Sequence, residues 1–376
     1  MINQKQSVNS YLFVLGILLL SFSNIFAISG YANYIFYTEL ATVLTFVAVV
    51  SGISINREKK QVSKWDITLV VICFTYLLLM LFEWRTFYQL TNLVTLFGIF
   101  AWVGIFSKIH WDAQKYAACG IACSIYSVIM VYLFLPGGIL SGWNENSPIC
   151  VLPVAFFAIT CLIKTEKSWG IAINILFVIL LTSLILQLEN RSAFFALMLF
   201  LVCCLFKKVY TNRQLFRVFY IVVISFNLLL PLFFDIATST AFFQRVSKAM
   251  LEFFDKNGLN GREELWELAV IRVRQNPLFG SLGYRTTYFH NFSLDILTQF
   301  GWVGWIVFFT ALIYILEKSF EPHKKSNLFL IGFLCLIFLN TFESVLFCNN
   351  YFMPFSYLLL GMCWHKPKEN ELERLS

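Results

Sequence analysis

The chain is 376 residues long, 59% hydrophobic and 18% aromatic, with only 13% charged residues, a formal net charge of +7 and a mean hydropathy of +0.73. A soluble globular domain is nearer half apolar and a quarter charged, so a soluble core clothed in charge is excluded and the hydrophobic excess is expected to face lipid. Most of the positive charge follows the lysine and arginine bias of cytoplasmic membrane loops, with some attraction to anionic headgroups, so no nucleic-acid partner is expected.

Apolar windows of membrane-crossing length predict twelve spans, at residues 11–28, 33–55, 66–82, 86–106, 116–135, 148–163, 169–187, 191–206, 218–238, 292–316, 327–347 and 352–364. The first has the apolarity of a signal-peptide core. It lacks a small-residue cleavage site and opens a repeated hydrophobic series, so it is expected to be retained. With a cytoplasmic N-terminus, alternate loops collect 19 of the 28 basic residues on the inside. Among them are Arg57, Lys59, Lys60 and Lys64, then Lys207, Lys208, Arg213 and Arg217. Seven of the nine outside fall in one loop at 239–290. The expected protein is therefore all-α, one polytopic integral membrane domain over 1–376, with both termini cytoplasmic and one larger outer loop.

The ten cysteines lie mostly inside expected spans, without a CxxC pair or a Cys/His cluster of metal spacing, so neither a disulfide nor a metal site is expected. P-loop, nucleophile-elbow and HExxH motifs are absent, and no cofactor is implied.

The outer loop is more specific. From Asn260 to Pro277 the sequence reads as a helix near 261–275, with Asn260 and Glu263 at capping-box spacing and Asn276-Pro277 as its stop. Leu265, Trp266, Ala269, Val270 and Val273 share one face, opposite Glu263, Glu267 and Arg274. Such an amphipathic helix lies on the membrane or on the span bundle. A turn-rich crossing, Pro277 to Tyr284, leads to His290-Asn291-Phe292-Ser293-Leu294-Asp295 and then to Gly301-Trp-Val-Gly304.

The ordered set Gly-Arg-x-x-Leu-Trp (Gly261 to Trp266), Asn-Pro-Leu-Phe-Gly (Asn276 to Gly280), His-Asn-x-x-Leu (His290 to Leu294) and Gly301-x-x-Gly304 resembles the O-antigen polymerase and O-antigen ligase superfamily of bacterial membrane glycosyltransferases. Glu189-Asn-Arg191-Ser-Ala193 resembles that family's Ser/Thr-Arg-Ser/Gly-Ala motif, and Asn144-Glu-Asn146 precedes a span as family asparagines do. Asn190 departs from the usual Ser or Thr, and Gly280-Ser-Leu-Gly283 is longer than the common Gly-x-Gly.

The resemblance implies a lipid-donor, GT-C-like bundle in the bacterial inner membrane, with its active site on the outer face. It implies transfer of a glycan from an undecaprenyl-diphosphate carrier to a glycan or lipid acceptor without a metal ion. A chain-length regulator is a candidate partner. Arginine suits this chemistry because its planar fork donates paired hydrogen bonds to phosphate oxygens, and a histidine can take the acceptor's proton. On this basis Arg191, Arg262 and His290 are the expected catalytic residues, and Asn291, Glu343, Asn146 and Tyr284 the expected substrate-binding ones.

Each has a plainer reading. Arg191 could snorkel to the interface, Arg262 could merely occupy a first helical turn, and Asn291 could cap the following span. Arg272, Arg274 and Arg285 fit solvent or headgroup contact better than catalysis. His290 is the only one of four histidines expected outside. Glu343 and Glu39 lie inside expected spans, where an acid is costly and usually paired. Trp143 and Tyr284 could stack on sugars, but interface anchoring is the default for such aromatics. The favoured function is a repeat-unit polymerase. The alternatives are a ligase using the same donor chemistry and a lipid-linked glycan flippase. A flippase more often shows repeated halves and midplane charges.

Overall fold

A computed structural model describes residues 103, 113–136, 149, 151–254, 261–283, 287–343 and 353–363. The first four expected spans lie outside the described residues apart from Val103, and all secondary structure among the described residues is helical. We number the helices α1 (Ala113–Leu133), α2 (Leu152–Lys164), α3 (Ser168–Gln187), α4 (Arg191–Leu205), α5 (Lys207–Thr211) and α6 (Arg213–Leu232). They continue as α7 (Phe234–Ser239), α8 (Ala241–Phe254), α9 (Arg262–Gln275), α10 (Phe292–Ser319), α11 (Asn327–Leu339) and α12 (Met353–Gly361).

Among the described residues, four helices are long and apolar enough to cross a membrane: Lys115–Leu133 within α1, then α3, α6 and α10. Three shorter apolar helices, α2, α4 and α11, pack among them. Helix α11 is apolar on every side, and all its residues except Phe338 are buried, which makes it the centre of the bundle. It touches α2, α4, α6 and α12. On α3 only Gly170, Asn174, Phe177, Leu181 and Ile185 are buried, one stripe at helical spacing, while Ile171, Ile175, Leu176 and Ile179 are exposed. The same holds for Val218, Ile221 and Val222 on α6. Contiguous apolar surface of this extent is the signature of a lipid-facing or partner-facing wall.

Several expected boundaries move. The span expected at 218–238 begins at Arg213, where Asn212 caps α6 by accepting the Gln214 and Leu215 N–H groups. It ends at Leu232, one residue past Pro231, and α7 follows as a separate short helix. The span expected at 292–316 is broken at Gly301 (φ 64°, ψ −168°). The span expected at 327–347 stops as a helix at Leu339, so Glu343 stands in an irregular segment after the helix and not within it. The outer-loop helix is present as α9, but its N-cap position is Gly261; Asn260 lies outside the described residues. Trp266, Ala269 and Val273 of α9 are buried, the first two with Phe289 and Leu294 in a small core that Leu230, Leu232, Phe234 and Phe243 complete, so α9 rests on the bundle. The loop also holds α8, which the hydropathy reading left without structure.

Candidate functional site

The site is built at the end of the bundle where α4, α9 and α10 begin and α6 and α11 finish. Helix α3 ends with Glu189 in the left-handed region (φ 52°), and the chain turns directly into α4. The Asn190 side chain accepts the Ala193 N–H at 2.9 Å, so asparagine does the N-capping that serine or threonine would do. The departure from the family motif therefore keeps its physics. It puts Arg191 on the first residue of α4, as Arg262 is on the first residue of α9. A cation at a helix N-terminus opposes the positive end of the dipole. Glu263 and Glu264 follow Arg262 in the first turn of α9, and the Arg262 charge acts on Arg191 through space.

One carboxylate answers it. Glu343 Oε1 accepts from Arg262 Nη2 at 2.5 Å, and His290 Nδ1 lies 3.0 Å from Oε2. The side chains are 12% exposed for Arg262, 4% for Glu343 and 30% for His290, so the ion pair is buried and the imidazole is the member open to the outside. An ionised carboxylate only accepts, so against it Nδ1 is the donor, and in a neutral imidazole Nε2 is then the acceptor.

His290 is held in a strained pose. Its φ of 51° is left-handed, a conformation that a non-glycine residue holds at about 1–3 kcal/mol when its surroundings over-determine it. Here they do. On one side Phe289 donates its N–H to Asp295 Oδ1 (3.3 Å) and accepts from Trp266 Nε1 (3.1 Å), with the Arg272 guanidinium over its ring. On the other side Asn291 caps α10 by accepting the Leu294 N–H, and its Nδ2 donates to the carbonyls of Asn227 and Thr341 at 3.0 Å each. The Tyr288 ring meets the imidazole edge-on at 4.5 Å.

Beneath lies a polar hub that the sequence reading missed. Asn227 of α6, fully buried, donates to Ile337 O and Thr341 Oγ1 and accepts from the N–H and hydroxyl of Ser293. Trp305 Nε1 in turn donates to Ser293 Oγ. These bonds tie α6, α10 and the segment carrying Glu343 into one unit. The signal was an amide in the middle of an apolar span, where a polar side chain is costly unless it is paired.

The break in α10 has its own partner. At Gly301 the helical ladder is interrupted, and the 277–283 loop takes up the freed groups. Pro277 O accepts from Trp302 N, Leu278 O from Val303 N, and the N–H groups of Ser281 and Gly283 donate to Thr298 O and Gln299 O, all within 3.1 Å. Gly280 (φ 59°) and Gly301 (φ 64°) face this seam. A Cβ at Gly280 would stand 2.6 Å from the Gln299 backbone, and one at Gly301 would overlap Leu278. The Asn-Pro-Leu-Phe-Gly and Gly-x-x-Gly stretches are thus two halves of one joint.

Of the expected site residues, Arg262, His290 and Glu343 are in direct contact, and Arg191 starts α4 within the electrostatic reach of Arg262. Asn291 adjoins them, with both side-chain polar atoms engaged by the protein. Asn146 and Tyr284 lie outside the described residues. The group pairs a guanidinium with a carboxylate that also holds a part-exposed imidazole, chemistry suited to binding an anion and to accepting a proton. No family model matches this chain, and no curated protein or solved structure matches it.

Proposed function

We propose that this chain is a metal-independent membrane glycosyltransferase that joins undecaprenyl-diphosphate-linked oligosaccharide repeat units of O-antigen or a related surface polysaccharide. The observation that carries this reading is the juxtaposition of two helix-starting arginines with a carboxylate-held, outward-facing histidine. The motif resemblance supplies the substrate class, the GT-C-like fold and the site on the outer face of the inner membrane; hydropathy and the distribution of basic loops supply the twelve spans and the two cytoplasmic termini.

In this mechanism Arg191 and Arg262 bind the donor diphosphate. His290 Nε2 takes the proton of the acceptor hydroxyl, whose oxygen attacks the anomeric carbon. The bond from that carbon to the diphosphate oxygen breaks, and the leaving diphosphate keeps the electron pair. Its growing negative charge is stabilised by guanidiniums already in place, each close pair contributing about 4 kcal/mol before desolvation at an intermediate dielectric. Glu343 holds the imidazole in the tautomer that leaves Nε2 free, as a carboxylate partner commonly does. Inversion at carbon is what the resemblance suggests.

Deletion of the gene in its host is the test, read by profiles of surface and lipid-linked glycan. A polymerase leaves surface glycan as single repeat units with the ladder gone. Long chains accumulating on the lipid carrier would indicate a ligase. Single repeat units trapped on the cytoplasmic face would indicate a flippase, and an unchanged profile would sink all three.

A further inference from the structure

We propose that Glu343 is a resident anion that the donor diphosphate must displace, so that it selects for diphosphate and couples donor binding to the base. The proposal rests on the reading of Arg191 and Arg262 as diphosphate ligands. Its geometric basis is that one carboxylate serves both functional halves of the site: Oε1 on the guanidinium of Arg262 at 2.5 Å and Oε2 on Nδ1 of His290 at 3.0 Å.

Three consequences follow from charge alone. An anion reaching Arg262 competes with a buried carboxylate already in contact with it. A weakly charged anion gains too little to replace that contact, whereas a diphosphate can engage Arg262 together with Arg191, on which the Arg262 charge already acts. Once Arg262 turns to the diphosphate, the Glu343 charge is no longer shared and rests on the His290 Nδ1–H. A carboxylate committed to an imidazole stabilises the imidazolium that forms when Nε2 takes a proton. The base is therefore reinforced when the donor is seated, and water finds a weaker base in its absence. No residue gains or loses a proton in the exchange; during transfer the acceptor's proton goes to Nε2, and the Nδ1 proton stays on the Glu343 side. Glu343 is in this sense a positioning and selectivity residue, acting through Arg262 and His290.

The test uses the full-length protein in detergent micelles and inorganic pyrophosphate as the probe, with calorimetric binding read beside glycan transfer. Glu343→Gln removes the competing charge at almost unchanged shape. The expected result is pyrophosphate bound about tenfold more tightly than by the wild type, at the lower end of ordinary site-to-site coupling, while transfer falls. The preference for pyrophosphate over orthophosphate shrinks in the same variant. A merely structural glutamate would leave affinity unchanged or weaken it along with turnover, and that outcome overturns the proposal, as does an absence of measurable binding in both proteins. Should Glu343→Gln fail to fold, Glu343→Met, which also removes the charge at similar size, is read by the same criterion. Failure of the functional reading is separate, because it shows as wild-type transfer in Arg191→Ala and Arg262→Ala.

Discussion

At the scale of single residues, the site sets a buried guanidinium–carboxylate pair against an exposed imidazole, and each member has its own expected phenotype. Arg191→Ala, Arg262→Ala and His290→Ala should each lower transfer by about 100-fold or more, the ordinary effect of losing one preorganised donor or a general base. The protein should still insert and elute as the wild type does, and wild-type turnover in all three would falsify the assignment. Arg262→Lys is not conservative here: an ammonium offers a point charge where the guanidinium offers a planar fork, so it should recover only part of the Arg262→Ala loss. Asn227 gives a prediction of another kind. Asn227→Leu keeps the apolar volume and strands Ser293 and Thr341, two buried groups that it now satisfies. Thermal unfolding in detergent should report about 1–3 kcal/mol of lost stability, while the bond from Asn291 to the backbone carbonyl of residue 227, which leucine keeps, still anchors the His290 turn. Short motifs singled out Arg191, Arg262 and His290 in sequence, and the structure sets Arg262 and His290 against one carboxylate. Glu343 was legible as an acid that needed a partner, but not which partner, because its neighbours stand 81 and 53 residues away in the chain.

At the scale of elements, hydropathy located helices well and their interruptions poorly. The beginnings of α3, α4, α10 and α11 fall within a residue of their expected positions, because each follows a polar turn. The break at Gly301 escaped, because Phe-Gly-Trp-Val-Gly is as apolar as the helix on either side of it. Hydropathy records what a side chain prefers and not which carbonyls lack a partner. In a bundle of lipid-facing helices, an irregular backbone survives only where other backbone satisfies it, and the 277–283 loop does that here. The end of α11 was missed for a similar reason: the apolar run continues past Leu339, while the Asn340 carbonyl is taken by the Phe292 N–H of a different helix. The seam makes a sharp prediction. Gly301→Ala and Gly280→Ala each place a Cβ against opposing backbone at a left-handed φ. Neither neighbour can yield as a flexible side-chain end would, so each should destabilise by about 3–5 kcal/mol. Temperature-dependent aggregation of the detergent-solubilised variants measures it, and a melting point equal to wild type would show that the seam is not constrained.

At the scale of the whole molecule, the two ends of the bundle differ in what their charges do. At the end opposite the site, Arg217 is paired bidentately with Glu317, Lys325 with Glu166, and Arg213 donates to the Phe320 carbonyl. Lys207, Lys208, Lys318 and Lys324 are gathered at this same end, at the termini of α5 and α10 and ahead of α11. Exposed pairs of this kind contribute little to stability. Their concentration matters for orientation, because short basic loops are retained on the cytoplasmic side. The site end instead holds Arg262 largely buried against the Glu343 carboxylate, with Arg191 at the start of α4. On the proposed reading, charge at one end directs insertion and at the other receives the donor's diphosphate. Two exposed positions test this orientation, Lys208 beside α5 and Glu264 on α9. In a cysteine-free background carrying one new cysteine at either position, a membrane-impermeant maleimide applied to spheroplasts should label position 264 at once and position 208 only after lysis. Labelling of both from the outside would break the bundle's proposed topology, and labelling of 208 alone would invert it. In either case His290 would face a compartment without the proposed acceptor, and the polymerase reading would fall with the orientation.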